Sequence, residues 1–235
     1  MKKHITALAA GMALALSTAA NADYISDYVQ VELGIGAAHY TTTDGRWYQE
    51  GIPGGSKLTS KPPSFSVGFT GPLLVRGKWG VDWHAGYVNL GRAAADCSCT
   101  PNDDNYDPNS HTYTPKVNVP VAYFTGEGRS QGVALTLEPY YWLSGIRIGA
   151  EVGAYVHRDS WTEHVGGWKA WPTQTAQDIT VSDAYWSVAP MVGLSVGNGR
   201  FTLAYRHYFM RINSQHRNIP PLWNDADELE VKVKF

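Results

Sequence analysis

The last nine residues of the chain, 227–235, alternate between two kinds of side chain. Every second residue from the end is apolar: Leu229, Val231, Val233 and Phe235. The residues between them are charged: Glu228, Glu230, Lys232 and Lys234. A period of two residues indicates a β-strand with one apolar and one polar face. Such a strand fits two classes of protein, a soluble β-sandwich and a membrane β-barrel.

The first 22 residues have the pattern of a secretory signal peptide. Lys2 and Lys3 precede a mostly apolar stretch, 5–16, and the small residues Ala20 and Ala22 provide a cleavage site. The apolar stretch is shorter than the roughly 20 residues that a membrane-spanning helix needs. We therefore expect a cleaved signal peptide at 1–22 and one exported domain at 23–235.

Seven further segments alternate like the last one, with small or polar residues on one face. The eight predicted strands are 28–38, 64–70, 79–90, 133–141, 146–157, 184–196, 201–209 and 227–235. The segment 117–123 also alternates, but bacterial single-chain barrels have even strand numbers. We therefore place it in a hairpin arm above the membrane. The sequence predicts an all-β fold, an eight-stranded antiparallel up-and-down barrel with long loops at 41–62, 92–131, 158–180 and 211–226.

The apolar face of these strands carries no charged residue, whereas the opposite face carries many. A charge in the middle of a lipid bilayer costs roughly 2–4 kcal/mol. The inward charged residues are Glu32, Asp82, His84, Glu138, Arg147, Glu151, Arg206, Glu230, Lys232 and Lys234. Buried charges need partners, and an eight-stranded barrel has little free interior. We expect an ion-pair network that fills the lumen, with a narrow gated pore as the alternative.

Together these features resemble the small eight-stranded outer-membrane barrels of Gram-negative bacteria: the OmpA membrane domain, OmpX and the Ail/Lom group. The resemblance is carried by the signal peptide, the glycine-rich first strand and the last strand ending in Phe235. It implies a monomer in the outer membrane, inserted by the barrel assembly machinery. It also implies that Leu229, Val231, Val233 and Phe235 form the assembly signal.

Catalysis is an alternative, because some lipid A deacylases and acyltransferases are small barrels. A resemblance to the deacylases would imply a His in a late strand, followed two positions later by a nucleophilic Ser. Here His207 is followed by Phe209, and a histidine without a hydroxyl has no nucleophile to activate. We predict no catalytic residue.

No cofactor or metal is expected. Cys97 and Cys99 form at most half of a zinc site, and the acidic residues after them lack the spacing of a calcium loop. The 19 basic and 21 acidic side chains give a net charge of −2, which is not the balance of a nucleic-acid-binding protein.

Arginine, lysine and tryptophan in the predicted loops are the main functional signal. Arginine binds phosphate well, and exposed tryptophan favours recognition. The predicted contact residues are Arg46, Trp47, Arg158, Trp161, Trp168, Lys169 and Trp171. We expect a non-catalytic surface protein whose loops contact lipopolysaccharide, host molecules or phage. An equally simple interpretation is that these tryptophans only order the loops.

Overall fold

The computed structural model describes residues 28–41, 57–97, 106–107, 112–113, 123–168, 175, 177–210 and 223–235. The strands are β1 Gln30–Thr41, β2 Lys57–Lys61, β3 Ser64–Arg76, β4 Trp79–Cys97, β5 Tyr106–Asp107, β6 Thr112–Tyr113, β7 Tyr123–Leu143, β8 Ile146–Trp168, β9 Gln177–Gly197, β10 Phe201–Tyr208 and β11 Asp225–Lys234. Within this part of the chain, no helix is long and apolar enough to cross a membrane. The predicted signal peptide, 1–22, lies outside the described residues.

Eight of these strands form a closed antiparallel ring. They pair in the order β1-β3-β4-β7-β8-β9-β10-β11, and β11 pairs back with β1. Backbone hydrogen bonds between Val31 and Phe235 extend the closing pair to its end. β2 pairs with the distal part of β4, and β5 pairs with β6 in a separate hairpin. The predicted eight-stranded antiparallel barrel is confirmed.

Side chains along the ring alternate between a buried inner face and an exposed outer face. On β9 this alternation is unbroken from Tyr185 to Val196. The exposed positions form an apolar band, which on β9, β10 and β11 comprises Val188, Val192, Leu194, Val196, Phe201, Leu203, Tyr205, Leu229 and Val231. A polar interior inside an exposed apolar band is the arrangement of a barrel that crosses a lipid bilayer. The chain is an eight-stranded transmembrane β-barrel.

The two ends of the barrel differ. At one end, tight turns join β3 to β4, β7 to β8 and β9 to β10, and the left-handed conformation of Gly77, Gly145 and Gly199 permits them. At the other end β4, β7, β8 and β9 continue past the apolar band. The β7–β8 pairing alone runs from Leu143↔Ile146 to Tyr123↔Gly166. We call this projecting part the extension.

The extension corrects the predicted loops. Residues 92–97 and 123–131 are paired strand, up to Cys97↔Phe124, and 158–168 and 177–180 are strand as well. Residues 57–61 from the first predicted loop form β2, and 225–226 belong to β11. Of the predicted hairpin arm 117–123, the described residue Tyr123 begins β7, and the others lie outside the described residues.

The physical reason is that the outer face becomes polar where the strands leave the membrane. On β8, Ser160, Thr162 and His164 occupy the outer positions, while Trp161 is 3% exposed on the inner face. A search for an apolar outer face therefore ends at the membrane boundary, although the strand itself continues.

Candidate functional site

The ten charged residues predicted for the interior face inward, and one continuous chain of ion pairs joins them. The chain includes every member of the set: Glu32, Asp82, His84, Glu138, Arg147, Glu151, Arg206, Glu230, Lys232 and Lys234. Its links connect β1, β4, β7, β8, β10 and β11, so it crosses the lumen and does not only follow the wall.

The chain begins at the end of the barrel with the tight turns. Asp82 accepts hydrogen bonds from Arg147, at 2.8 Å, and from Lys234, at 3.4 Å. The guanidinium of Arg147 also lies 3.3 Å from Glu138 Oε1 and 4.1 Å from the centre of the Tyr140 ring. Nη2 of Arg147 therefore lies near two carboxylates, whereas Nε has no hydrogen-bond partner among the described atoms.

His84 connects this end to the middle of the barrel. Its Nε2 lies 2.7 Å from Glu138 Oε2, and its Nδ1 lies 3.3 Å from Glu32 Oε1. Two carboxylates on the two ring nitrogens are satisfied together only by an imidazolium, which donates from both. Ser195 donates a further hydrogen bond of 2.5 Å to Glu138 Oε1.

The middle of the barrel is organised around Glu151. Its Oε1 lies 2.7 Å from Lys232 Nζ, and its Oε2 lies 2.7 Å from Arg206 Nε. Lys232 also reaches Glu32 at 3.3 Å, and Arg206 reaches Glu230 at 2.9 Å. Buried charges are tolerated in this way because each has at least one opposite charge in hydrogen-bonding distance.

Two inner-face glycines make room for the network. A Cβ added at Gly34 would overlap the carboxylate of Glu230, and one at Gly149 would overlap the carboxylate of Glu138. The glycines of the inner face therefore leave room for long charged side chains from the neighbouring strands to lie over them.

Above the ion pairs lies a second layer, which is mainly aromatic. Its buried members are Tyr40, Tyr155, Trp161, Tyr185, Met191, Tyr208, Met210 and Trp223. Polar contacts tie this layer together. Tyr208 donates a 2.7 Å hydrogen bond to Glu228, and His157 Nδ1 lies 2.9 Å from Asp159 Oδ1 and 3.4 Å from Ser130 Oγ.

Sequence reasoning missed the charged groups of this second layer. Asp159 and Glu163 were placed in a loop, yet both are buried on the inner face of β8. Glu228 has the same parity as Glu230 in the last strand, and this parity could have identified it. Tyr40, near the end of β1, is 1% exposed and lies inside the barrel.

A small cavity lies beside the ion pairs, against β3 and β4. This cavity of about 20 Å³ lies among residues that include Glu32, Ser66, His84, Thr136 and Arg206. This volume holds about one water molecule. A water there would meet Glu32 Oε2 and Thr136 Oγ1, which have no hydrogen-bond partner among the described atoms.

Three interior residues have the donor atoms of a metal site. His84, Glu138 and Glu151 each offer one atom, and the three atoms lie within 4.8 Å of one another. The positive charge that a cation would bring is already present, because Lys232 contacts Glu151 and Arg147 contacts Glu138. The ion-pair network is therefore the simpler account of these residues.

The outer face of the extension is polar. Cross-strand hydroxyl and imidazole pairs lie on it, with Thr162 Oγ1 2.9 Å from Ser182 Oγ and His164 Nδ1 2.8 Å from Thr180 Oγ1. A groove of about 690 Å³ opens on this face, and its lining includes Arg92, Glu127, Arg129, Ser160, Thr162 and Ser182. Such a surface offers many hydrogen-bond donors and acceptors to a ligand outside the barrel.

His207 was the candidate for catalysis, and it lies on the outer face near the membrane boundary. Its Nδ1 is 2.7 Å from Asp227 Oδ1, and Tyr205 donates a hydrogen bond to the same oxygen. The ring of Phe209 packs against the imidazole with centroids 4.3 Å apart. Among the described contacts, Asp227 orients His207, and the hydroxyl group beside it is the phenol of Tyr205, which donates to the carboxylate and not to the imidazole.

The predicted loop contacts fall in several places. The prediction that Trp161 contacts a partner from a loop is wrong, because Trp161 is buried on the inner face of β8. Arg158 is exposed, but it is a strand residue opposite Gln131 and Trp186. Trp168 is the last residue of β8. Arg46, Trp47, Lys169 and Trp171 lie outside the described residues, as does most of the segment around Cys97 and Cys99.

Comparisons with known proteins found similarity in structure but not in sequence. No family model matches the chain, and no curated protein matches it. A crystal structure of Ail, the attachment invasion locus protein of Yersinia pestis, matches at 12% identity and a TM-score of 0.41, covering 89% of this chain and 99% of that one. The same protein with the heparin analogue sucrose octasulfate gives 10% and 0.35, covering 88% and 97%. Its structure in a phospholipid bilayer nanodisc gives 11% and 0.30, covering 88% and 99%.

Proposed function

We propose that this chain is a non-catalytic protein of the Gram-negative outer membrane that acts through its extracellular side. It is exported by a signal peptide at 1–22 and inserted as a monomer by the barrel assembly machinery. The tight turns then face the periplasm and the extension faces the outside. The outward, apolar positions of Leu229, Val231 and Phe235 fit a role as the assembly signal.

The observation that carries this proposal is the contrast between a filled lumen and a polar outer wall. The interior is occupied by paired charges and by an aromatic layer. The outer wall of the extension carries a groove and many polar groups. Contact with other molecules is therefore expected on the outside of the barrel, with lipopolysaccharide, host surfaces or phage as partner classes.

The test is a comparison of cells that express the full chain with cells that carry an empty vector. Outer-membrane fractions, protease digestion of whole cells and adhesion to immobilised host-cell matrix are measured together. We expect to recover the protein in the outer-membrane fraction, and we expect protease to cleave it only outside the barrel. We also expect the expressing cells to gain adhesion or phage binding. Recovery in the periplasm, or correct insertion with no gain in any surface contact, would contradict the proposal.

A further inference from the structure

Three arginines lie side by side on the outer wall, where the extension meets the apolar band. Arg92 on β4 is directly opposite Arg129 on β7. Arg158 on β8 is opposite Gln131, two residues from Arg129 on β7. All three side chains are exposed. Three neighbouring strands therefore present guanidinium groups to the same region outside the barrel.

This juxtaposition is unfavourable in the protein alone. Like charges directly opposite each other on neighbouring strands repel. In the described part of the chain, none of the three arginines has an ion pair. Glu127, the outward residue two positions before Arg129, already forms an ion pair with Lys61 at 3.1 Å. An anion from outside the chain would remove the repulsion and would accept charge-assisted hydrogen bonds from the guanidinium groups.

The position of the arginines indicates where that anion comes from. Val133 and Val156, a cross-strand pair of the apolar band, are opposite each other just below Gln131 and Arg158. The three arginines therefore begin where the hydrocarbon ends, at the height of the lipid headgroups. Their exposed positions on the outer face of the strands place them beside that layer.

The neighbouring side chains suit a sugar that carries the anion. The lining of the groove beside Arg92 and Arg129 includes Ser160, Thr162 and Ser182, and the hydroxyls of Thr162 and Ser182 lie 2.9 Å apart. Hydroxyl groups both donate and accept hydrogen bonds, as sugar hydroxyls do. We propose that Arg92, Arg129 and Arg158 bind the phosphorylated saccharide headgroup of a glycolipid in the outer leaflet. The inference rests on the proposed outer-membrane location and orientation.

The experiment measures lipid binding to the purified full chain in phospholipid nanodiscs. Native mass spectrometry quantifies binding of diphosphorylated lipid A, of the same lipid after phosphatase treatment, and of inorganic phosphate. We expect Arg92→Gln and Arg129→Gln each to weaken binding of the diphosphorylated lipid about tenfold, as expected for the loss of a charged hydrogen bond. The phosphatase-treated lipid should bind the wild type more weakly than the diphosphorylated lipid does. It should bind the wild type and the two variants equally.

Matched controls are Arg76→Gln and Arg200→Gln, which remove arginines from the exposed positions at the opposite end of the barrel. They should bind lipid like the wild type, and the gel mobility of unheated samples checks that every variant is folded. Equal binding by the Arg92 and Arg129 variants and the wild type would overturn the inference. Equal losses in the controls, or inorganic phosphate binding as tight as the lipid, would overturn it as well. No gain of adhesion or phage binding in cells that express the protein, with lipid binding intact, would instead contradict only the proposed function.

Discussion

Lys232 and Glu151 form a fully buried ion pair inside the barrel, with Nζ 2.7 Å from Oε1. Their strands, β11 and β8, are separated by β9 and β10 in the ring, so the pair spans the lumen. Glu151 also binds Arg206, and Lys232 also binds Glu32. Lys232 on β11 therefore links β1 and β8, which lie on different sides of the barrel. Closure of the barrel is in this way coupled to charge pairing.

Replacing Lys232 by methionine should destabilise the barrel strongly. The change leaves the buried carboxylates of Glu32 and Glu151 with less positive charge, and breaking a buried pair in this way costs about 3–5 kcal/mol. Urea unfolding in detergent micelles measures the effect. The control is Lys61→Met, which breaks the exposed pair with Glu127 and should cost no more than about 1 kcal/mol. Equal losses for the two variants would contradict the structural role of the buried network.

Replacing residues 98–122 by a short turn should leave the barrel intact. β4 and β7 are paired up to Cys97↔Phe124, so the replacement joins two strand ends that already lie together. Removing 92–131 instead deletes the paired strand arms and the partner of β2, and should impair folding. The gel mobility of unheated and heated samples distinguishes the two variants. A loss of the folded band in the shorter deletion would show that the segment is needed for the barrel.

The protein should not form a stable pore. The ion-pair chain and the layer of Tyr40, Tyr155, Tyr208 and Trp223 fill the lumen, and opening a path would require several buried pairs to separate. Single-channel recording in planar bilayers should show no steady conductance for the wild type. Reproducible conductance steps that persist at low voltage would favour the channel alternative.

Expression of the protein should not change the acyl chains of lipid A. His207 is oriented by Asp227 at 2.7 Å, but the residue two positions later is Phe209, whose ring packs on the imidazole. Mass spectrometry of lipid A from expressing cells, compared with cells carrying His207→Ala, measures this. Loss or gain of an acyl chain that disappears in the variant would establish an enzyme.

The membrane part of the fold could be predicted from the sequence because lipid imposes one rule on every strand. Outward residues such as Val192, Leu203 and Val231 must be apolar, so the alternation gives both the strand and its register. The same parity identified the ten interior charges, whose partners the structure then provides.

The extension could not be predicted by that rule. Above the membrane, outward positions such as Ser160 and Thr162 face water or headgroups, and the inward position of Trp161 packs in the interior. The segment therefore has the composition of a loop although it is paired on both sides. The arginine cluster was missed for a related reason, because Arg92 and Arg129 become neighbours only through the pairing of β4 with β7.

The most direct test of the barrel in a membrane is the contact between its methyl groups and lipid acyl chains. The perdeuterated chain with protonated methyl groups is placed in nanodiscs, and nuclear Overhauser effects from lipid methylenes are recorded. The account predicts signals to the outward methyls of Leu135, Val192, Leu203 and Val231, and none to the inward methyls of Ala134, Met191 and Ala204. Lipid signals of equal strength at the inward methyls, or none at the outward ones, would contradict it.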